Sequence, residues 1–354
     1  MLDPACGDGR FLRATGLALQ VGMDIDPVAA SGGSFLHGDA LRHDWGDQRF
    51  DVVVGNPPFL NQLSAATTRG GSSRFGGGPY ADAAAEFLAL AVRLTRPGGR
   101  VGLVLPHSLL TVRDAAAIRD QVDRVAALRW MWWSPTQMFD AAVRVWAGVW
   151  EVGGEPGNVR RAYGEAFASL PPMVMPTAWS GLIADAPAPP DNDGPTLGTI
   201  ATFTSDFRDQ YYGLVGAVSD TADGPPLVTS GLIEPDQCLW GSRPVRFAKQ
   251  TFAAPRVDLA RLSPAMQRWA VRRLVAKILI ANQTRIIEAV FDEHGEWLPG
   301  VPVITCTSAN LRDVLHVLQS PAATEWVRYY AAGSGLGEGS VRLSPNLLAS
   351  IPLP

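Results

Sequence analysis

The chain has 354 residues, 47% hydrophobic and 18% charged, with a net charge of −4, which suits a soluble folded protein of one large or two ordinary domains. Its three cysteines, Cys6, Cys238 and Cys306, lie far apart without a CxxC pair, which argues against a disulfide framework or a zinc site and suits a reducing cytoplasm. Asp3, Asp8 and Arg10 interrupt any signal-peptide core, and no apolar run approaches the roughly 18 residues a membrane span needs.

Residues 1–152 alternate short apolar runs with helical patterns, which predicts a βα sheet. In chain order the elements are a strand ending at Asp3, a helix over Arg10–Leu19, a strand over Val21–Ile25, a short third strand before Asp39 and a strand over Asp51–Gly55. A helix over Ala81–Leu94 with its stop signal at Arg96-Pro97-Gly98-Gly99, a strand over Arg100–Pro106, a helix over Val112–Val122, and strands over Val125–Trp133 and Val143–Val152 follow. The Gly/Ser-rich stretch between Ser64 and Pro79 cannot build a core and reads as a mobile loop. The Pro/Gly-rich residues 153–198 read as a connector. Residues 199–354 are mixed, with an apolar run Leu274–Ile280 and a hairpin signal at Asp292-Glu293-His294-Gly295. Trp130, Trp132, Trp133, Trp146 and Trp150 alternate on predicted strands and read as sheet packing.

The chemistry lies in the turns that follow the strands. Asp3-Pro4-Ala5-Cys6-Gly7-Asp8-Gly9 is a glycine turn whose helix aims its N-terminus at an approaching ligand. Gly22-Met23-Asp24-Ile25-Asp26-Pro27 places an acid at the end of the second strand, the usual partner of ribose hydroxyls in doubly wound sheets. Gly38-Asp39-Ala40-Leu41 adds another acid, and Asn56-Pro57-Pro58-Phe59 ends the next strand. His107 reads as a loop residue near the site without a catalytic role.

In this order and spacing, DPACGDGRFL, MDIDP, GDAL and NPPF resemble the gamma class of adenine-N6 DNA methyltransferases that use S-adenosylmethionine. The stretch KILIANQTRIIEAVFDEHGEWLPGVPVITC and the closing SPNLLASIPLP resemble, more loosely, recognition-domain segments of bacterial modification enzymes. The resemblance implies a doubly wound, mostly parallel Rossmann-like methyltransferase sheet over residues 1–152, followed by a mixed α+β target-recognition domain over 199–354. It implies that Asp3, Ala5, Cys6, Gly7 and Gly9 surround the methionine part of the cofactor. Asp24 would hold the ribose, Ile25 would pack on the adenine ring, and Asp39 would accept from the exocyclic amine of the cofactor. Asn56, Pro57 and Phe59 would carry the chemistry, with Pro58 and Phe139 against the flipped target base. Partners would be double-stranded DNA and a restriction or defence-system protein, in the cytoplasm. Family members carry a further segment ahead of the glycine turn; its absence reads as a start assigned too late or as a truncated chain.

An adenine amine is a poor nucleophile because its lone pair is delocalised into the ring. The Asn56 side-chain oxygen and the Pro57 carbonyl can each accept one of its N–H bonds, and Phe59 can stack on the ring. Between Arg243 and Arg285 stand ten basic residues and one acidic residue, Asp258, a stripe that can meet phosphates on an otherwise acidic chain. Within it Arg268, Arg272, Arg273, Lys277 and Arg285 are the candidate DNA contacts. The competing readings are methylation of RNA or of a protein glutamine amide, and a DNA-binding homologue that no longer turns over. No nuclease constellation stands out.

Overall fold

The computed structural model describes residues 1–17, 19–27, 34–59, 73–78, 81–134, 136, 143–184, 186–190, 192–206, 208–335 and 339–354. They form two compact units, Met1–Ile183 and Ala184–Pro354. Among the described residues no helix is long and apolar enough to cross a membrane.

The first unit is built on nine strands: β1 (Leu2–Asp3), β2 (Val21–Asp24), β3 (Ser34–His37), β4 (Phe50–Gly55), β5 (Thr95–Pro106), β6 (Ala126–Trp133), β7 (Val145–Val152), β8 (Asn158–Tyr163) and β9 (Ala168–Val174). Their order is β3-β2-β1-β4-β5-β7-β6-β8-β9. Strands β1 to β5 pair in parallel, β7 runs antiparallel between β5 and β6, and β8 returns parallel to β6. The carboxyl ends of β1, β2, β4, β6 and β8 therefore share one edge of the sheet, where ligands of doubly wound sheets bind.

One face of this sheet is covered by α2 (Ala83–Leu94) and α3 (Ala116–Val125). Every residue of α2 from Ala84 to Leu94 except Arg93 is buried, so apart from Glu86 the helix is apolar all round and sits in the core. Asp82 caps it by accepting from Ala84 N. The first helix, α1 (Arg10–Thr15), stops short of the predicted Leu19 because Gly16 takes a left-handed conformation at its C-cap. The predicted stop at Arg96–Gly99 lies inside β5, which begins at Thr95 directly after α2. The predicted third helix opens with a 3-10 turn at Arg113–Ala115 before α3.

Residues expected to be connector instead complete the first core. Strands β8 and β9 extend the sheet, and Trp179 and Leu182 are buried at 2% and 0% exposure. The Trp179 ring lies 6.0 Å from both Trp146 and Trp150, and its Nε1 donates to Asp123 Oδ2 at 2.7 Å. An aromatic ring that fills a core outweighs the loop-forming prolines around it, since burying such a side chain contributes on the order of 1.5–3 kcal/mol. The unit consequently runs to Ile183 rather than to residue 152.

The second unit holds a four-stranded antiparallel sheet in the order β10 (Ala201–Ser205), Ile304–Ser308, Lys277–Ile280, Ala289–Asp292. Helices α4 (Arg208–Leu214) and α5 (Pro264–Arg273) lie in this unit. Ser263 caps α5 by accepting from Met266 N, and Pro264 opens its first turn, a placement where proline loses no helical hydrogen bond. The predicted hairpin at Asp292–Gly295 is a turn, but the strand after it, Leu298–Pro299, pairs in parallel with Leu227–Val228 and not with Ala289–Asp292. A different hairpin stands at Val245–Phe252, its tip formed by Ala248 and Lys249 at φ 48° and 67°.

Candidate active site and nucleic-acid contacts

At the carboxyl edge of the first sheet lies a cavity of about 610 Å³. Six of the predicted site residues line it: Ala5, Asp24, Ile25, Asp39, Asn56 and Pro58. They come from the ends of β1, β2, β3 and β4, so the strand order brings together four motifs spread over residues 3–59. Asp3, Cys6 and Gly9 are buried, as is Pro57, while Phe59 is half-buried. Phe139 lies outside the described residues, as do residues 60–72 and 79–80 around the Gly/Ser-rich stretch.

The glycine turn is held from two sides. Cys6 N donates to Met23 O at 2.9 Å, and Gly7 N donates to Asp24 Oδ2 at 2.7 Å. Asp24 Oδ1 accepts from Asp26 N at 3.1 Å. The acid at the end of β2 thus ties its own turn to the turn after β1 before any ligand arrives, a role the motif alone does not reveal. Gly9, at φ 78°, caps α1 without a side chain, a conformation in which glycine carries no Cβ penalty. Asp39 Oδ1 accepts from Leu41 N at 3.0 Å, and Oδ2 lies 3.3 Å from Arg42 Nε. Ile25, 67% exposed, offers an apolar surface to the cavity.

Asp3 is fully buried. Its Oδ1 accepts from Ala5 N at 3.2 Å, while Oδ2 has no hydrogen-bond partner among the described residues. Burial pushes its carboxyl up to about 7; the Ala5 N–H opposes that shift and the charge of Asp24 adds to it. Burial likewise pushes the Cys6 thiol up to about 11, helped by Asp3 and Asp24, so Cys6 stays a protonated packing residue. Directly after β5, His107 is buried against the expectation of a loop residue; it opens a 3-10 turn, and its Nε2 lies 3.1 Å from Val145 O. Burial and the charge of Arg144 push it down to about 4.

Glu86 was not foreseen as a site residue. It lines the cavity from α2, accepts from the Ser73 hydroxyl, and accepts from Phe75 N at 3.3 Å through its other oxygen. The signal was available as the single acid in the apolar run AAAEFLALAV: a charge in a buried helix needs a partner.

Residues 22–126 match the family described as Eco57I restriction-modification methylase. A curated relative, the Type II methyltransferase M.TthHB8I of Thermus thermophilus, is 30% identical over 152 residues, 35% of this chain and 33% of that protein. The chain thus spans about a third of the length of that relative. Among solved structures, the Type IIL restriction-modification enzyme MmeI in complex with DNA aligns over 98% of this chain and 61% of its own, with a TM-score of 0.59 and 14% identity. A class I S-adenosylmethionine-dependent methyltransferase from Listeria monocytogenes aligns over 46% of this chain and 57% of its own, with a TM-score of 0.38 and 20% identity. The strand order and the likeness to MmeI give the methyltransferase fold of restriction-modification enzymes, followed by an α+β region.

The basic stripe of the second unit divides once its partners are known. Lys277 is buried at 1% exposure and paired with Asp292, itself 3% exposed. Its strand lies between two others of the four-stranded sheet, so its charge cannot reach a phosphate. Arg273 makes a two-point contact with Asp206, Nε to Oδ2 at 3.0 Å and Nη2 to Oδ1 at 2.7 Å. It too is spent inside the unit. Arg268, Arg272 and Arg285 are exposed and unpaired among the described residues, and so are Arg246 and Lys249 of the Val245–Phe252 hairpin. Arg268 and Arg272 stand one turn apart on α5, whose other face buries Met266, Trp269 and Ala270.

Proposed function

We propose that the chain transfers a methyl group from S-adenosylmethionine to the N6 amine of an adenine turned out of DNA. The observation that carries this reading is the shared lining of one cavity: Asn56 and Pro58 of NPPF face the same space as Ala5, Asp24, Ile25 and Asp39.

The residues fit the cofactor. Carboxylates at Asp24 and Asp39 stand beside the apolar Ile25, Ala40 and Leu41, a lining suited to a hydroxylated ribose and a flat base. The unpartnered Asp3 Oδ2 is an acceptor in want of a donor, which the ammonium of a methionine moiety supplies. When bound, the cofactor offers an electrophilic methyl on a sulfonium. The chain's own part is to prepare the acceptor. Asn56 and the Pro57 carbonyl take the two amine protons as hydrogen bonds and draw the nitrogen lone pair out of the ring. Proline at 57 fixes the backbone that presents that carbonyl. Pro58 and the half-buried Phe59 meet the ring of the base, repaying part of the few kcal/mol that leaving the duplex costs. Orientation then carries the reaction. Arg268, Arg272 and Arg285 are assigned to the phosphates.

Incubation with tritiated S-adenosylmethionine and mixed DNA, followed by digestion to nucleosides, tests the reading. Label should appear in N6-methyladenine; label confined to RNA or to protein would refute it. Asn56→Ala should lower transfer at least about 100-fold with cofactor binding intact.

A further inference from the structure

We propose that Phe167, on the turn between β8 and β9, is a stacking contact for a base of the bound DNA, with Arg160 of the same strand β8 on a phosphate. This rests on the reading that the chain acts on DNA.

The turn spans Gly164 to Phe167, closed by Gly164 N donating to Trp133 O at 2.9 Å and Phe167 N donating to Gly164 O at 3.1 Å. Phe167 sits at φ 52°. Left-handed backbone is unfavourable for a side chain with a Cβ, and hairpin turns commonly place glycine there. Here an aromatic residue holds the place, and the conformation lays its ring on Trp132 at 5.2 Å between centroids and 23° between planes. Burial does not explain the arrangement, because Phe167 is 56% exposed while Trp132 is 6% exposed. The indole beneath is pinned by Nε1 donating to Gly164 O at 2.8 Å. The result is a rigid aromatic ring held out in water with one face free of its partner.

Its position ties it to the target site. Strand β6 is parallel to β8 and, through two antiparallel steps across β7, shares its direction with β5 and β4. The turn after β8 therefore stands on the edge where β4 releases Asn56. Phe59 of NPPF packs against the apolar cluster that contains Trp132, so Phe59 and Phe167 lie at two ends of one apolar band. Four strand spacings separate β4 from β8, about 19 Å or roughly six base steps of DNA. Arg160 is exposed and without a partner among the described residues, and it registers with Trp130 on β6, two residues before the register of Ala162 with Trp132. A free guanidinium two positions back along the strand from the place where Phe167 stacks on Trp132 suits a phosphate beside a stacked base.

The full chain is titrated against a fluorescein-labelled duplex of mixed sequence. Phe167→Leu keeps an apolar cover on Trp132 but removes the ring. It should weaken binding about tenfold, while Phe167→Trp retains affinity. Arg160→Gln should lower the slope of log affinity against log salt by about 1. If Phe167→Leu binds as wild type and only its thermal unfolding changes, Phe167 is a cover for Trp132 and the proposal is overturned. Methyl transfer by the wild type is measured in parallel. Transfer to DNA with equal binding by both variants overturns this proposal alone; Phe167-dependent DNA binding without any transfer overturns the methyltransferase reading alone.

Discussion

The two units treat buried charge in opposite ways. In the second, the buried ions answer each other: Lys277 with Asp292, and Arg273 with Asp206. In the first, Asp3 is buried with one oxygen unpartnered, and His107 is buried with Nδ1 unpartnered among the described residues. Satisfied pairs belong to architecture, since a buried ion without its partner is costly. Of these two, Asp3 opens the turn that brings Ala5 to the cavity, and the proposed function gives its free oxygen a ligand to meet.

The sharpest way to break this contrast is to orphan one ion. Lys277→Met should cost about 3–5 kcal/mol in urea unfolding, because Asp292 is left buried without its countercharge, with only the Glu296 and Trp297 N–H groups to hold it. A loss below 1 kcal/mol would show that the pair is not structural.

The next effect is in pH. The folded chain keeps the Asp3 proton up to about 7, against an ordinary 3.8, so the contribution of Asp3 is full at low pH and lost as pH rises from about 4 to 7. His107 titrates near 4 when folded, against 6.5 ordinarily, so its contribution is full above 6.5 and lost as pH falls towards 4. Each is worth on the order of 3 kcal/mol, and the two oppose each other between pH 4 and 6.5. Asp3→Asn should therefore make stability climb with pH across that window, and His107→Asn should make it fall. Parallel profiles in the two variants would refute the assignment.

A smaller effect concerns the cofactor. An ammonium pairs only with ionised Asp3, so affinity for S-adenosylmethionine should rise as pH passes upward through about 7, by up to roughly tenfold over one unit. Calorimetric titration of wild type and Asp3→Asn checks this, the variant being flat. The smallest effect is at the surface. Arg272→Ala should leave stability within about 0.5 kcal/mol and lower the salt slope of DNA binding by about 1, whereas Arg273→Ala should destabilise the unit instead.

What was legible in the sequence was local. Strands β2, β4, β6 and β7 and the helix α2 follow from runs of apolar residues and their period, and NPPF marks its own place at the end of β4. What was not legible was partnership at a distance. Lys277 stands in an apolar run as the only charge, but what buries it is its place inside the four-stranded sheet and a partner 15 residues on. Trp179 hides among prolines and glycines, and only the contact with Trp146 and Trp150 explains why the connector folds back. Asp24 was legible as an acid at a strand end, but its bond to Gly7 N, across 17 residues, was not.

Gly55 sits directly before Asn56, and a Cβ there would stand 2.9 Å from Asp3 Oδ1. The residue that would greet the methyl donor and the backbone that aims the acceptor thus lean on one another with no slack between them. On the roles proposed for Asp3 and Asn56, donor recognition and acceptor geometry are a single trait. Selection or engineering at either place must move both, so an enzyme of this build would change its donor preference only by re-setting the acceptor as well.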